Sequence, residues 1–497
     1  MVNNSGPYPI PDAVSDAPYS LSINGTSIPI EQGTRLTITY FARFRFTHPV
    51  EVIVDYTAES ERTVALLPHR HRDDLQVSDR RLIIEIDDTR PRILRVDGLP
   101  YLFLFPEPPP SIPAALSSVV SVAPDSNAIQ HTQTLQSALD HASESKGGTI
   151  VLEPGLHRSR ALHLKSHTKL YLKEGAVLQG TGLPDDYTTR SGRRALILVD
   201  RAIDAAIIGH GVIDGMGRVL QKEHGTKAHL IDALECQNLK LEGIVLRDPG
   251  AWTVHFIGCK NVTVSNIKIL GDWALSNTDG IDPDMSQNVT IEDCFVYSGD
   301  DAIVVKTTGA LGVKGSSQDI VAKRCVLMTK KTSLKIGTES RYDIRNILYE
   351  DIDIVDSSRG CALWMRDGAT YANITFRDIR MPNLMRFPNE QWSGEAYRVS
   401  IQERHRRGRM ENILFERIRA RSEQRSILFS KLDYPVEGLT FKDCVWWAKE
   451  DESIPHIEAN NAKSIKLINC KIETAGNVEA FPTSLLTGSS KAFINLE

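Results

Sequence analysis

A short segment recurs through the chain at intervals too small for any copy to enclose a core of its own. Asn238-Leu-Lys-Leu-Glu-Gly-Ile is followed by Asn261-Val-Thr-Val-Ser-Asn-Ile, Asn288-Val-Thr-Ile-Glu-Asp-Cys and Asp319-Ile-Val-Ala-Lys-Arg-Cys. Asn346-Ile-Leu-Tyr-Glu-Asp-Ile, Asn373-Ile-Thr-Phe-Arg-Asp-Ile and Asn412-Ile-Leu-Phe-Glu-Arg-Ile continue it, and Gly438 and Ser464 open two more copies. Asn238 to Asn261 is 23 residues and Asn346 to Asn373 is 27. Each copy alternates apolar and polar positions, turns, and alternates again. That length is too short for a helix pair or a four-stranded blade. It suits one coil of a parallel β-helix, in which stacking covers each apolar position with its equivalent one coil away. The recurrent Asn suits an inward turn, its amide bonded to the Asn of the next coil. Cys294, Cys325, Cys444 and Cys470 share one repeat position, which predicts stacked core thiols rather than disulfides or a metal site.

The expected architecture is all-β: a right-handed parallel β-helix preceded by a small N-terminal β-sandwich domain. The sandwich is placed at 1–105, a proline-rich linker at 106–120 and the β-helix at 121–490. Alternating segments at Arg35–Thr39, Val50–Tyr56 and Leu82–Ile86 read as sandwich strands, with Tyr101–Phe105 as the last. Pro106, Pro108, Pro109, Pro110 and Pro113 exclude a helix or a central strand. Ile129–Ala142 reads as a helix capped by Ser126 or Asn127, closing the open end of the coil.

Composition narrows the function classes. A net charge of -5 argues against binding nucleic acid through bulk positive charge. No apolar run approaches the roughly 20 residues of a membrane helix. Seven cysteines in 497 residues are too few for a disulfide scaffold. Residues 1–30 show no secretory signal, so the compartment stays open between intracellular and secreted after processing.

The chemistry lies on two consecutive coils. Asn277-Thr-Asp279-Gly280 precedes Ile-Asp282-Pro-Asp284, and Gly299-Asp300-Asp301 follows. Asp279 and Asp300 are 21 residues apart, slightly under one coil, which places them on one face at neighbouring levels about 4.8 Å apart. An ionised carboxylate in an apolar core is very costly, so Gly299 is expected to bend the chain and turn both following acids outward. Three crowded acids repel, and at least one should hold a proton near neutrality. A proton-holding acid beside ionised carboxylates is the set that hydrolyses a glycosidic bond. Asp282 and Asp284 read as turn aspartates.

These residues resemble glycoside hydrolase family 28, the polygalacturonases and their relatives. The resemblance rests on Asn277-Thr-Asp-Gly-Ile-Asp-Pro-Asp and Gly299-Asp-Asp-Ala-Ile-Val-Val-Lys306. Ala251-Trp-Thr-Val-His-Phe-Ile-Gly-Cys, Ile208-Gly-His-Gly-Val-Ile-Asp-Gly215 and Gly147-Gly-Thr-Ile-Val-Leu extend it over roughly residues 120–480. It implies a right-handed β-helix and single-displacement, inverting hydrolysis without metal or other cofactor. Asp300 would be the general acid, with Asp279 and Asp301 positioning and deprotonating water. The chain departs from the family pattern where a Gly-His-Gly is expected, since Lys331-Thr332-Ser333-Leu-Lys335-Ile-Gly337-Thr-Glu339 stands there. It departs again where Trp364-Met-Arg366 replaces Arg-Ile-Lys. Losing a bidentate Arg and gaining an indole shifts the expectation from plain polygalacturonate towards a neutral or mixed glycan. The leading sandwich is reminiscent of the dextranases of glycoside hydrolase family 49.

Asn277, Lys306, Lys335, Glu339, Trp364, Arg366 and His255 are the candidate substrate contacts. Lys306 has an electrostatic reason to stand beside three acids, and Lys335 or Glu339 could take over the absent histidine's orienting role. Trp252 is grouped with His255 as reaching the cleft, whereas His210 reads as structural. The stretch between Asn373 and Asn412, carrying Trp392, Tyr397 and Arg404-His-Arg-Arg-Gly-Arg409, is expected to overhang the groove. A polysaccharide or oligosaccharide is the partner. The alternatives are a β-helix polysaccharide lyase, which would need calcium and a basic group, and a non-catalytic glycan-binding β-helix.

Overall fold

The computed structural model describes residues 16–496, apart from 59–61, 69–74, 108–117, 191–192, 388–392, 403, 423, 432–434, 448–455, 475–476 and 491–493. Two five-stranded sheets come first and share one apolar core that includes Leu21, Val52, Val54, Leu82, Ile84, Leu94 and Leu104. Strands form at Val50–Tyr56, Arg81–Ile86 and Leu102–Glu107. Arg35–Thr39 is a loop rather than a strand. Its backbone N–H groups are used elsewhere: those of Arg35, Leu36 and Thr37 point at Asp272, at 3.1, 2.6 and 3.1 Å. Pro106 lies inside a strand against expectation. Its neighbour on one side pairs only as far as Leu104, so the missing N–H leaves no gap in that ladder. The remaining prolines of the cluster, and Trp392, lie outside the described residues.

From Val119 the chain winds into a right-handed parallel β-helix built from a sheet of 25 strand segments and one of 13. Equivalent residues stack in register: Leu239, Val262, Val289, Ile320, Ile347 and Ile374 on six coils. Each side chain therefore meets its own kind above and below, and all six are essentially without solvent. The thiols stack as well. Cys294 and Cys325, and Cys444 and Cys470, are free and buried, joined by a third pair, Cys236 and Cys259.

The asparagine ladder forms, but on the outside. Asn261, Asn288, Asn373 and Asn412 each donate their amide to the Asn one coil back, at 2.7 to 3.2 Å. The repeat Asn residues adopt φ of 53–57°. That left-handed conformation, which Asn tolerates better than most side chains, points the amide to solvent rather than inward.

The helix Ala128–Glu144 covers the first coils, with Asn127 Oδ1 accepting from Gln130 N at 3.3 Å. It buries Leu135, Leu139 and Ala142 in the coil core and leaves Ile129 exposed. Among the described residues no helix is long and apolar enough to cross a membrane. The sandwich is docked firmly on the coil's flank: Phe41, Ile93, Phe103 and Phe105 face Val177, Val212, Val245, Phe295 and Tyr297. Ion pairs such as Arg95–Asp356 (3.0 Å) and Lys268–Glu107 (2.6 Å) rim this apolar contact. His210 belongs to that rim, 3.3 Å from Glu107, which bears out its structural reading.

Candidate active site

The 13-stranded sheet presents one face to the coil core and the other outward. Ile281, Ile303, Leu334 and Leu363 point in, so Asp282, Lys306, Lys335 and Trp364 point out. Asp279 stands just before the strand Ile281–Asp284, and Asp300 and Asp301 just before Ile303–Thr307. Backbone bonds between coils fix their levels: Gly280 N donates to Asp301 O at 2.9 Å and Ala302 N to Thr332 O at 2.9 Å. Gly299 makes the bend possible. A Cβ there would fall 2.5 Å from Leu275 O and 2.6 Å from Asp272 O, so no side chain fits where the two segments cross. The loop from Asp272 to Asp279 thus starts on the sandwich's N–H groups and ends in the acid cluster.

The three carboxylates converge. One oxygen from each of Asp279, Asp300 and Asp301 lies within 4.8 Å of the others. Two lysines supply the opposing charge. Lys306 Nζ lies 3.0 Å from Asp279 Oδ2, 2.9 Å from Asp282 Oδ1 and 3.5 Å above the Trp252 ring. Lys335 Nζ lies 2.5 Å from Asp301 Oδ2, whose other oxygen accepts from Thr332 N at 3.1 Å. Among the described residues no lysine bonds Asp300; its Oδ1 accepts from Asp301 N at 3.0 Å.

This uneven distribution of cations separates the acids. Asp300 is raised, by burial first and then by the charge of Asp301. Burial also opposes ionisation of Asp301, but Lys335 and Lys306 outweigh it and hold the carboxyl below its ordinary value. Burial raises Asp279 and takes Asp282 to about 7, with Lys306 opposing both. One ammonium cannot neutralise two buried carboxylates, so this pair retains a proton up to near neutrality. Lys306 itself is held well above its ordinary value; burial opposes its charge, but Asp279 and Asp282 prevail. The same carboxylates are the donor type for a hard cation, but such an ion would have to share them with two ammoniums already in contact.

The other candidates fall into two groups. Asn277 is exposed at the rim, its Oδ1 2.5 Å from Lys227 Nζ. Trp364 is half-exposed one coil beyond Lys335, faced by four cations. Arg366 and Arg398 lie 5.3 Å from its ring centre, Lys335 5.7 Å and Arg359 6.0 Å. Glu395 bonds Arg398 at 2.7 Å, and Gln402 accepts from Arg366 at 3.1 Å. Glu339 is half-buried and acts electrostatically on Lys306. Lys335 holds Asp301 rather than Asp300, and Arg359 bonds Thr332 Oγ1 at 3.0 Å, so among the described residues no side-chain contact repeats the one expected of a histidine beside the acid.

Two expectations need correction. His255 is not a substrate contact: it is fully buried, its Nε2 donates to Asp284 at 3.1 Å, and its Nδ1 faces Arg193. Tyr397 does not overhang the groove but lies in the coil core among Phe415, Phe441 and Trp446. Of the basic run, Arg404 clamps buried Asp367 at 2.5 Å and Arg406 holds backbone carbonyls of Gly368 and Arg341. Asp282 was missed because an acid two residues before another in a turn-rich segment looks the same whether or not a lysine meets it. Arg398 carries no motif at all.

Residues 155–445 match Glycosyl hydrolases family 28. The chain belongs to this family. A "Probable polygalacturonase" from Vitis vinifera is 29% identical over 258 residues, covering 46% of this chain and 52% of that protein. An "Endo-polygalacturonase" from Pectobacterium carotovorum subsp. carotovorum is 23% identical over 314 residues, covering 55% and 75%. The chain thus spans about half the length of the grape relative it matches. Family 28 structures share the fold: the exopolygalacturonase of Yersinia enterocolitica aligns over 90% of this chain and 96% of its own at a TM-score of 0.62 and 13% identity. Dex49A from Penicillium minioluteum aligns over 100% and 97% at a TM-score of 0.58 and 12% identity. That second likeness extends through the leading sandwich.

Proposed function

We propose that this family 28 protein hydrolyses glycosidic bonds of a mixed glycan that carries a uronate unit, with inversion. The observation that carries the substrate reading is the surround of Trp364, where Lys335, Arg359, Arg366 and Arg398 all lie within 6.0 Å of the ring centre. The indole face suits stacking on an uncharged ring, and the cations gathered around it suit an anionic neighbour. The cations therefore turn the expectation drawn from Trp364 alone back towards an acidic sugar.

Asp300, with its raised pKa and no lysine bonded to it among the described residues, donates its proton to the departing oxygen as the anomeric C–O bond breaks. Water held between Asp279 and Asp301 forms the new bond to the anomeric carbon and gives its proton to Asp301, which Lys335 keeps ionised. Two acceptors for one water favour inversion. A retaining course has one observation in its favour: the oxygens cluster within 4.8 Å, nearer the roughly 5–5.5 Å of retaining than the roughly 6.5–9.5 Å of inverting carboxyl pairs.

The test is a reducing-end screen on polygalacturonate, rhamnogalacturonan and dextran, with NMR of the anomer first released. Release from a uronate-bearing glycan with inverted configuration is the expected result. Retention would make Asp279 or Asp301 a nucleophile, and cleavage of dextran alone would remove the anionic reading. An unsaturated product would point to a lyase.

A further inference from the structure

On one side of the acid trio the outward face of the catalytic sheet is filled by the protein itself. Asp232, His255 and Asp282 occupy the same register position on three successive coils, with Asp284 two residues further on. On the floor of an open groove such positions would be wet. Here each is 1% exposed or less. Arg193 covers the first two: its Nη2 meets His255 Nδ1 and lies 3.2 Å from His229 Nε2, and its Nε lies 3.8 Å from Asp232. Trp252 completes the block, edge-on to His255 with centroids 4.7 Å apart and with Lys306 over its face. On the other side of the acids Glu339, Trp364 and Arg366 are partly exposed, and Lys335 keeps 11% of its side chain in solvent.

We infer that the groove is blind at the Arg193–Trp252 wall, so that the enzyme acts on chain ends and releases a product of one fixed length. This rests on the hydrolase reading above. Adjacent coils are about 4.8 Å apart, close to the length of one sugar ring. His255 lies one coil from the level of Asp279 and two from that of Asp300 and Asp301. The space between wall and acids therefore takes one or two sugars and no more. A longer chain leaves over Lys335 and Trp364, where the floor is open.

The experiment follows product size and viscosity together, using the full chain on whichever of polygalacturonate, rhamnogalacturonan and dextran yields reducing ends. The expected result is a single mono- or disaccharide from the earliest time point, with viscosity retained as reducing ends rise. An early ladder of sizes with collapsing viscosity would overturn the blind groove while leaving the hydrolase reading intact. No reducing ends on any probe would overturn both. Arg193→Ser, which shortens the wall, is expected to add longer products; a folded variant with an unchanged profile would remove Arg193 from this role. Should that variant fail to fold, the profile of the unmodified protein still decides the question.

Discussion

Replacing Lys306 by Met removes the one cation shared by Asp279 and Asp282 while keeping most of the side chain's volume. Lys306 Nζ touches both acids, at 3.0 and 2.9 Å, and all three side chains are nearly without solvent. The charge centres lie somewhat further apart than the contacting atoms. Two unit charges about 4 Å apart interact by about 4 kcal/mol at an effective dielectric of about 20, equivalent to about three pKa units. Burial already raises Asp279, and the charge of nearby Lys306 opposes that rise. Without the lysine both carboxyls should stay protonated through neutrality. The acid-side limb of the kcat/KM profile should then move up by two units or more, and Lys306→Arg should restore part of the shift. Stability changes in a definite direction. A carboxyl raised in the fold binds more protons than its unfolded counterpart above about pH 4. The Met variant should therefore lie nearest to the unmodified protein in acid and lose stability as pH rises. The assays are kcat/KM from pH 4 to 9 and Tm over the same range. An unmoved acid limb with full activity would refute the claim that Lys306 limits how far the Asp279–Asp282 pair is raised.

Asp300→Asn should lower kcat by about 10²–10⁴-fold with circular dichroism and Tm retained; full activity would remove Asp300 from the role of acid. Arg366→Gln should raise KM on the uronate-bearing substrate by about 10-fold or more, the scale of one hydrogen bond to a charged group, with kcat held; an unchanged KM would detach Arg366 from substrate. Under the capping helix, buried His131 and His157 share a 2.9 Å contact, and burial lowers both pKa values. Their neutral forms stabilise the fold above the unfolded value of about 6.5, and that stability should fall as pH drops below it. His131→Gln should flatten the Tm slope between pH 5 and 6.5, and an identical slope would show that this pair does not set it.

What could be read in advance was whatever repeats. The apolar stack from Leu239 to Ile374, the cysteine pairs and the asparagine ladder all follow from a period, because one coil's environment is the next coil's environment. The ladder's side was misjudged because a spacing gives the contact and not the backbone angle: φ near 55° turns each Asn outward. The acid trio was readable for the same reason as the stack, two motifs slightly less than a coil apart. Its protonation was not. Asp300 and Asp301 are adjacent in the chain, and the less buried Asp300 is raised while the more buried Asp301 is lowered. The difference is made by Lys335, which reaches Asp301 from the following coil. Arg193 is harder still. It meets His255 from 62 residues earlier, outside the repeat that relates Asp232, His255 and Asp282. Periodicity lays down the floor of the groove, and residues that break the period decide where it ends. Specificity in a solenoid of this kind is therefore to be sought in side chains such as Arg193 and Arg398, which obey no motif and whose contacts appear only once the coils are stacked.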